Sequence, residues 1–212
     1  MRITAPLRTR SRPMASPALV KGFTLLELML TVTVAGIILG LGIPNMTQFI
    51  RNSRMTSAAN DLLAGVHMAR TEAVKRRAWT TLCFSADPTE ATPVCDGNGT
   101  QGWIVFADAN ADLTVDGGEE VLLRHDALPT SLSVNVNDGA ANGGYISFAG
   151  SGFARPTAGE EDIADVVLCD ERGNVAVYGD ENSAARAIRI SPTGRPQVNR
   201  AVSEVTAAGG CP

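Results

Sequence analysis

The sequence is short of the residues on which enzymes depend. It has two histidines, His67 and His125, in 212 residues, and neither stands in a recognisable catalytic pattern. Nucleophile candidates such as Ser147 and Ser151 have no histidine motif nearby. There is no Gly-rich phosphate loop, no nucleotide motif and no internal repeat. These absences argue against an enzyme. Cysteine is limited to Cys83, Cys95, Cys169 and Cys211, and no two have C-x-x-C spacing, which leaves little basis for a zinc centre. Acidic residues are missing from residues 1–22, which carry Arg2, Arg8, Arg10, Arg12 and Lys21. Charge is then almost missing from the next 21 residues, Phe23 to Ile43, where Glu27 stands alone.

That apolar run is long enough to cross a bilayer, which takes about 20 residues of helix. It exceeds the apolar core of about 7–15 residues in a cleaved secretory peptide, and it is followed by Pro44-Asn45-Met46 instead of an A-x-A site. The basic flank keeps the N-terminus cytoplasmic and sends the remainder across the membrane. Glu27 is the anomaly, because a carboxylate within a bilayer costs roughly 2.5–3.5 kcal/mol on insertion scales and therefore implies a task or a partner. The chain holds 18 basic and 22 acidic residues; without the five basic residues of 1–22, 13 remain against 22, a net of −9. That sign disfavours bulk binding of nucleic acid but permits a local basic patch.

Beyond Pro44 the helical pattern resumes. Phe49, Met55, Ala59, Leu62, Leu63, Val66, Ala69, Ala73 and Val74 recur at three- and four-residue steps. Pro44 removes one backbone donor and is expected to kink or locally melt the helix without ending it, and the helix should stop near Arg76-Arg77. From Ala78 the pattern changes to strands, expected at 79–84, 103–106, 120–124, 132–136, 145–148, 166–169, 174–178 and 187–190, with Gly/Asn/Asp turns between them. The fold class is therefore α+β, a long N-terminal helix with a transmembrane and an amphipathic half packed on antiparallel sheet. The expected segments are 1–22, a leader; 23–43, the membrane span; 44–77, the amphipathic continuation; and 78–212, a β-rich exported domain. Met14 offers a second translation start that would leave nine residues up to Gly22. On the exported side the cysteines can oxidise. Of the three pairings that four cysteines allow, Cys83–Cys95 with Cys169–Cys211 is favoured, because each pair flanks a stretch free of other cysteines.

Lys21-Gly22-Phe23-Thr24-Leu25-Leu26-Glu27, ahead of a long apolar helix, resembles the N-terminus of type IV prepilins and of type II secretion pseudopilins. The exported part resembles the GspH/FimT-type members of that group. The segments that carry this are Gly102-Trp103-Ile104-Val105-Phe106 with the acidic loop after it, Ile146-Ser147-Phe148, Leu168-Cys169-Asp170-Glu171-Arg172-Gly173, and Ala187 to Arg195. The resemblance implies a pilin-like fold, cleavage between Gly22 and Phe23 by a prepilin peptidase, and methylation of the new Phe23 amine. It also implies an inner-membrane subunit that joins other pilins or pseudopilins through this helix, as a minor component that initiates or caps a type IV pilus. The other branch is the H-type pseudopilin of type II secretion. In a stack of subunits, the Phe23 amine of one chain can sit beside the Glu27 carboxylate of its neighbour, so that two charges too expensive alone fix the register together.

Two further sites are expected. Asp108, Asn110, Asp112, Thr114, Asp116 and Glu119 fall at offsets 1, 3, 5, 7, 9 and 12, the spacing of an EF-hand calcium loop, although Leu113 replaces the turn glycine at offset 6 and a strand precedes the loop. Otherwise the sequence calls for no cofactor. Arg186, Arg189, Arg195 and Arg200 lie in a stretch, 182–203, that has no acid, a candidate DNA-binding patch of local charge +4. FimT-type pilins of naturally competent bacteria are associated with DNA binding through a Gly-Arg-x-Arg motif. Gly194 and Arg195 match it, and Gln197 takes the place of the second arginine.

Overall fold

The computed structural model describes residues 22–97, 99–137, 145–155, 165–176 and 181–211. They form two units, divided between Asn45 and Met46. Helix α1, Leu25–Arg76, contributes to both, and helical residues continue on either side of position 44.

In the first unit Thr24 starts the helix. Its Oγ1 accepts the Glu27 amide at 3.2 Å and its carbonyl accepts the Leu28 amide at 3.1 Å, satisfying donors that a helix start leaves open. The hydroxyls of Thr31 and Thr33 donate back to the carbonyls of Leu28 and Met29, so neither is left unpaired in an apolar setting. Every large apolar side chain here is exposed, from Phe23 at 74% to Ile43 at 61%. A helix so apolar, with a mean hydropathy of 2.1 in its best 18-residue window, meets the length and composition requirement for a membrane span.

In the second unit the rest of α1 buries one stripe: Met55, Ala58, Ala59, Leu62, Val66, Ala69 and Ala73. The stripe keeps the helical spacing read from sequence, but Phe49 and Val74, which that reading included, are 67% and 49% exposed. Small residues bring the helix close to the sheet. A Cβ on Gly65 would stand 3.0 Å from both Leu82 Cδ1 and Trp103 Nε1. The helix ends with Arg77 in the left-handed region (φ 56°), and Glu72 pairs with Lys75 and Arg76 in the last turn.

Among the described residues eight strands follow: β1 (Thr80–Phe84), β2 (Trp103–Ala107), β3 (Val121–His125), β4 (Leu132–Asn137), β5 (Tyr145–Phe148), β6 (Asp165–Asp170), β7 (Asn182–Ile190) and β8 (Pro196–Ala201), then helix α2 (Val202–Ala207). They build two four-stranded sheets, β3-β2-β1-β5 and β4-β6-β7-β8, with antiparallel neighbours throughout. One face of each sheet joins the core under α1, through Leu82, Phe84, Trp103, Val105, Ile146 and Phe148 in the first and Leu132, Val166, Leu168, Ile188 and Ile190 in the second. The opposite faces are covered too. Cys83, Ile104, Phe106 and Tyr145 lie against Leu113, Val115 and Cys95, while Val167, Cys169, Ala185 and Ala187 lie against Val205 and Ala208. Burial on both faces explains why β1 has no polar-apolar alternation: all five of its residues are buried.

Two strand expectations need correction. The strand expected at 174–178 is reduced, within the described residues, to one bridge between Ala176 and Ser183, and 177–178 lie outside those residues. The strand expected at 187–190 begins at Asn182. Strand β8 and helix α2 were not expected, because their small and polar residues carry no periodic apolar signal.

Candidate functional site

Gly22 precedes the helix, and Phe23 and Glu27 are both solvent-exposed. A cut after Gly22 would leave the Phe23 amine one residue ahead of the capping Thr24, with Glu27 in the first helical turn. An aromatic side chain and a carboxylate are presented here, and such a cut would add an amine; the apolar surface around them has no partner among the described residues.

The acidic loop is held by its own carboxylates. Asp108 is fully buried; its Oδ1 accepts the Asp112 amide at 3.1 Å, and its Oδ2 accepts the Thr81 hydroxyl at 2.9 Å and the Leu113 amide at 3.3 Å. The Thr81 oxygen also lies 2.8 Å from the Ser147 hydroxyl, which can donate to it, so Ser147 belongs to a buried hydroxyl network on the sheet. Glu119 accepts the amides of Ala109 and Asp116, and the Asn110 side-chain amide donates to both Asp112 and Asp116. Hydrogen bonds from the Thr114 hydroxyl and amide hold the Asp112 carboxyl below its ordinary range. Leu113, where the EF-hand has glycine, adopts φ 71°. Among the described residues, no three His, Cys, Asp or Glu side chains are grouped to hold a metal ion. The acidic spacing serves loop closure in this structure.

The four C-terminal arginines do not form the continuous patch expected from sequence. Arg186 is 7% exposed, and its Nη1 donates to the carbonyls of Ser183, Ala184 and Ala185 at the β7 register shift. Burial, with the charges of Arg200 and Arg172 beside it, pushes its pKa down to about 10. Arg189 pairs with Asp165 at 3.0 Å and with Glu204 at 3.2 Å, acids brought from outside the stretch 182–203. Arg195 and Arg200 are exposed at opposite ends of β8, about 17 Å apart at the rise of an extended strand. Gly194 is fixed by space. Its φ is +77°, and a Cβ there would stand 2.3 Å from the Gly152 carbonyl oxygen.

Disulfides join Cys83 to Cys95 and Cys169 to Cys211, leaving no free cysteine. The second binds the chain beyond α2 to β6, and Asn135 adds hydrogen bonds to the carbonyls of Gly209 and Gly210.

Three side chains to which the sequence assigned no packing role tie distant parts of the second unit together. Arg70 on α1 donates to the carbonyls of Gly152 and Thr193, fastening two turns to the helix. Arg172 grips Asp170 through Nε and Nη2 and reaches Gln48 and Asn52 of α1 through Nη1. His125 stacks on Trp103 with centroids 3.8 Å apart, its Nε2 lying 3.8 Å from Asp61. Each depends on a contact across tens of residues, so no local motif announces it.

The model of one family, described as type II transport protein GspH, matches residues 58–201. The pilin-like protein PilA1 of Thermus thermophilus is 32% identical over 105 residues, which make up 50% of this chain and 59% of PilA1. The chain thus spans about three fifths of that curated relative. Two crystal structures of the type IV minor pilin FimU of Pseudomonas aeruginosa, each at 18% identity, have TM-scores of 0.49 and 0.43; they cover 73% and 70% of this chain and 94% of each FimU chain.

Proposed function

From its membership of the type II transport protein GspH family, to which the chain belongs, we propose that it is a structural subunit of a pilin-type filament, a minor pilin that helps to initiate or cap a type IV pilus. The observation that carries this reading is the start of α1. Gly22-Phe23-Thr24 leads into a helix whose apolar surface over 23–43 is exposed and whose one charge over 23–43 is Glu27. Such a surface needs lipid before assembly and other apolar helices after it. A prepilin peptidase removes residues 1–22, the Phe23 amine is methylated, and the subunit waits in the inner membrane with its β-rich part outside the cytoplasm. Once assembled, Glu27 takes the Phe23 ammonium of a neighbouring subunit, which relieves both buried charges and sets the stagger. Intact mass spectrometry tests the processing: the mature chain should lack residues 1–22 and carry one methyl group, and a chain retaining Gly22 would refute it.

The alternative is an H-type pseudopilin acting in protein export, which uses the same helix in the same way. Deletion of the gene separates the two, since a pilus subunit affects surface filaments and a pseudopilin affects release of exported proteins. A role in DNA uptake would rest on Arg195, which the Gly194 turn holds exposed and away from the paired and buried arginines of the same stretch.

A further inference from the structure

The arginines that leave the expected patch collect elsewhere. Register places Arg186 opposite Leu168 on β6, and the next pair, Ala187 with Asn199, puts Arg200 beside it across the β7 shift. Leu168 and Ile188 face α1, so Arg186 lies on the α1 side of the sheet. Arg172, two residues past β6, reaches the same end through Gln48 and Asn52. Arg51 and Arg54 extend the group along α1 and line a cavity of about 200 Å³ with Ser131, Leu132, Asp170 and Glu171.

The charge here is not balanced. Asp170 is taken by Arg172 and Glu171 by Arg51 at 2.6 Å. Arg186 has no carboxylate within ion-pair distance among the described residues; it is buried, and the repulsion of Arg200 and Arg172 outweighs the attraction of the more distant Asp170. Among the described residues, these five arginines pair with two carboxylates, in a mature chain whose net charge is −9. A buried guanidinium held among like charges gains from a fixed oxyanion, and arginine forks match phosphate geometry. Arg186 is too enclosed to meet the broad face of a duplex, whereas Arg200 and Arg54 are exposed and can meet a single phosphate group. In sequence, Arg51 and Arg54 follow Ile43, the last residue of the membrane-length run, by eight and eleven positions. Basic residues so placed are those that meet lipid headgroups.

We propose that Arg172, Arg186 and Arg200, flanked by Arg54, form a site for the phosphate headgroup of an anionic phospholipid. The site rests on the reading of the chain as a membrane-anchored subunit. It would hold the subunit to the bilayer surface before assembly and release it when the filament draws the subunit out of lipid.

The test uses the full chain in nanodiscs of equal phosphatidylglycerol and phosphatidylcholine, released for native mass spectrometry of the lipids it retains. Phosphatidylglycerol should be enriched on the wild type. Arg200→Gln and Arg54→Gln should each lower the enrichment about fivefold, whereas Arg195→Gln at the other end of β8 should leave it unchanged. Arg186 is buried and its replacement risks the fold, so the exposed Arg200 is the informative position, with circular dichroism to check that the variant is folded. Equal retention of both lipids, an Arg200→Gln variant that behaves as wild type, or displacement of lipid by millimolar inorganic phosphate would each overturn the proposal. Lost lipid preference in a chain that still inserts removes this site alone; a chain that fails to enter nanodiscs removes the anchored-subunit reading as well.

Discussion

The Arg70 guanidinium on α1 donates to the Thr193 carbonyl at 3.1 Å, joining residues 123 apart in sequence. A second bond from Arg70, to Gly152 at 3.0 Å, fastens the turn on which the β7–β8 hairpin rests. Gly194 completes the contact because it has no side chain. Gly194→Ala adds a Cβ 2.3 Å from the Gly152 oxygen at a positive φ. We expect a loss of about 1–3 kcal/mol in urea unfolding, and a variant as stable as wild type would refute the packing role.

The Asp170–Arg172 pair should control acid stability. Burial works to raise the Asp170 carboxyl, but the hydrogen bonds and charge of Arg172, helped by Arg51, outweigh it and hold the carboxyl below its ordinary value. A carboxyl depressed in the folded state stabilises the fold above its unfolded pKa, and that contribution is lost as pH falls through the folded value. In Arg172→Met the Asp170 carboxylate, 4% exposed, loses its partner, at a cost of about 3–5 kcal/mol near neutral pH. Unfolding followed from pH 7 to pH 3 should show that deficit shrinking as Asp170 takes up a proton. A deficit independent of pH would contradict the assignment.

The Cys169–Cys211 disulfide closes a loop with a sequence separation of 42 and holds the C-terminal segment over the outer face of the second sheet. Cys211→Ser should lower stability by about 2–4 kcal/mol in oxidising buffer. Strong reductant should bring the wild type close to that variant in a mutant that retains only this disulfide; a gap that persists would point to the serine itself.

If DNA is bound, Arg195 is the residue to remove. Arg195→Ala should weaken a DNA gel shift of the detergent-solubilised chain and flatten its salt dependence by about one phosphate contact. Arg189→Ala should do less to that slope, because Asp165 and Glu204 already engage Arg189. Equal effects from the two would contradict the division of the stretch.

Sequence and structure agree best where periodicity is local, although Phe49, Val74 and the strand expected at 174–178 depart from it. The stripe from Met55 to Ala73 on α1 could be read from its helical spacing, and strands β1, β2 and β5 from short β-branched, aromatic or apolar runs. What could not be read depends on distant neighbours. The stretch 182–203 has no acid, yet Asp165 and Glu204 reach Arg189 from β6 and α2. The acidic spacing from Asp108 to Glu119 was legible as a loop, but not that Asp108 would be buried against Thr81. Strand β8 escaped notice because an exposed edge strand needs no apolar alternation.

The central claim is that Glu27 serves assembly and not anchorage, and incorporation of Glu27→Ala tests it most directly. In cells lacking the native copy, the variant and the wild type should be equal in membrane amount and in removal of residues 1–22. The variant should be absent from the sheared filament fraction, where the wild type is found. Recovery of Glu27→Ala in filaments at the wild-type level would contradict the account.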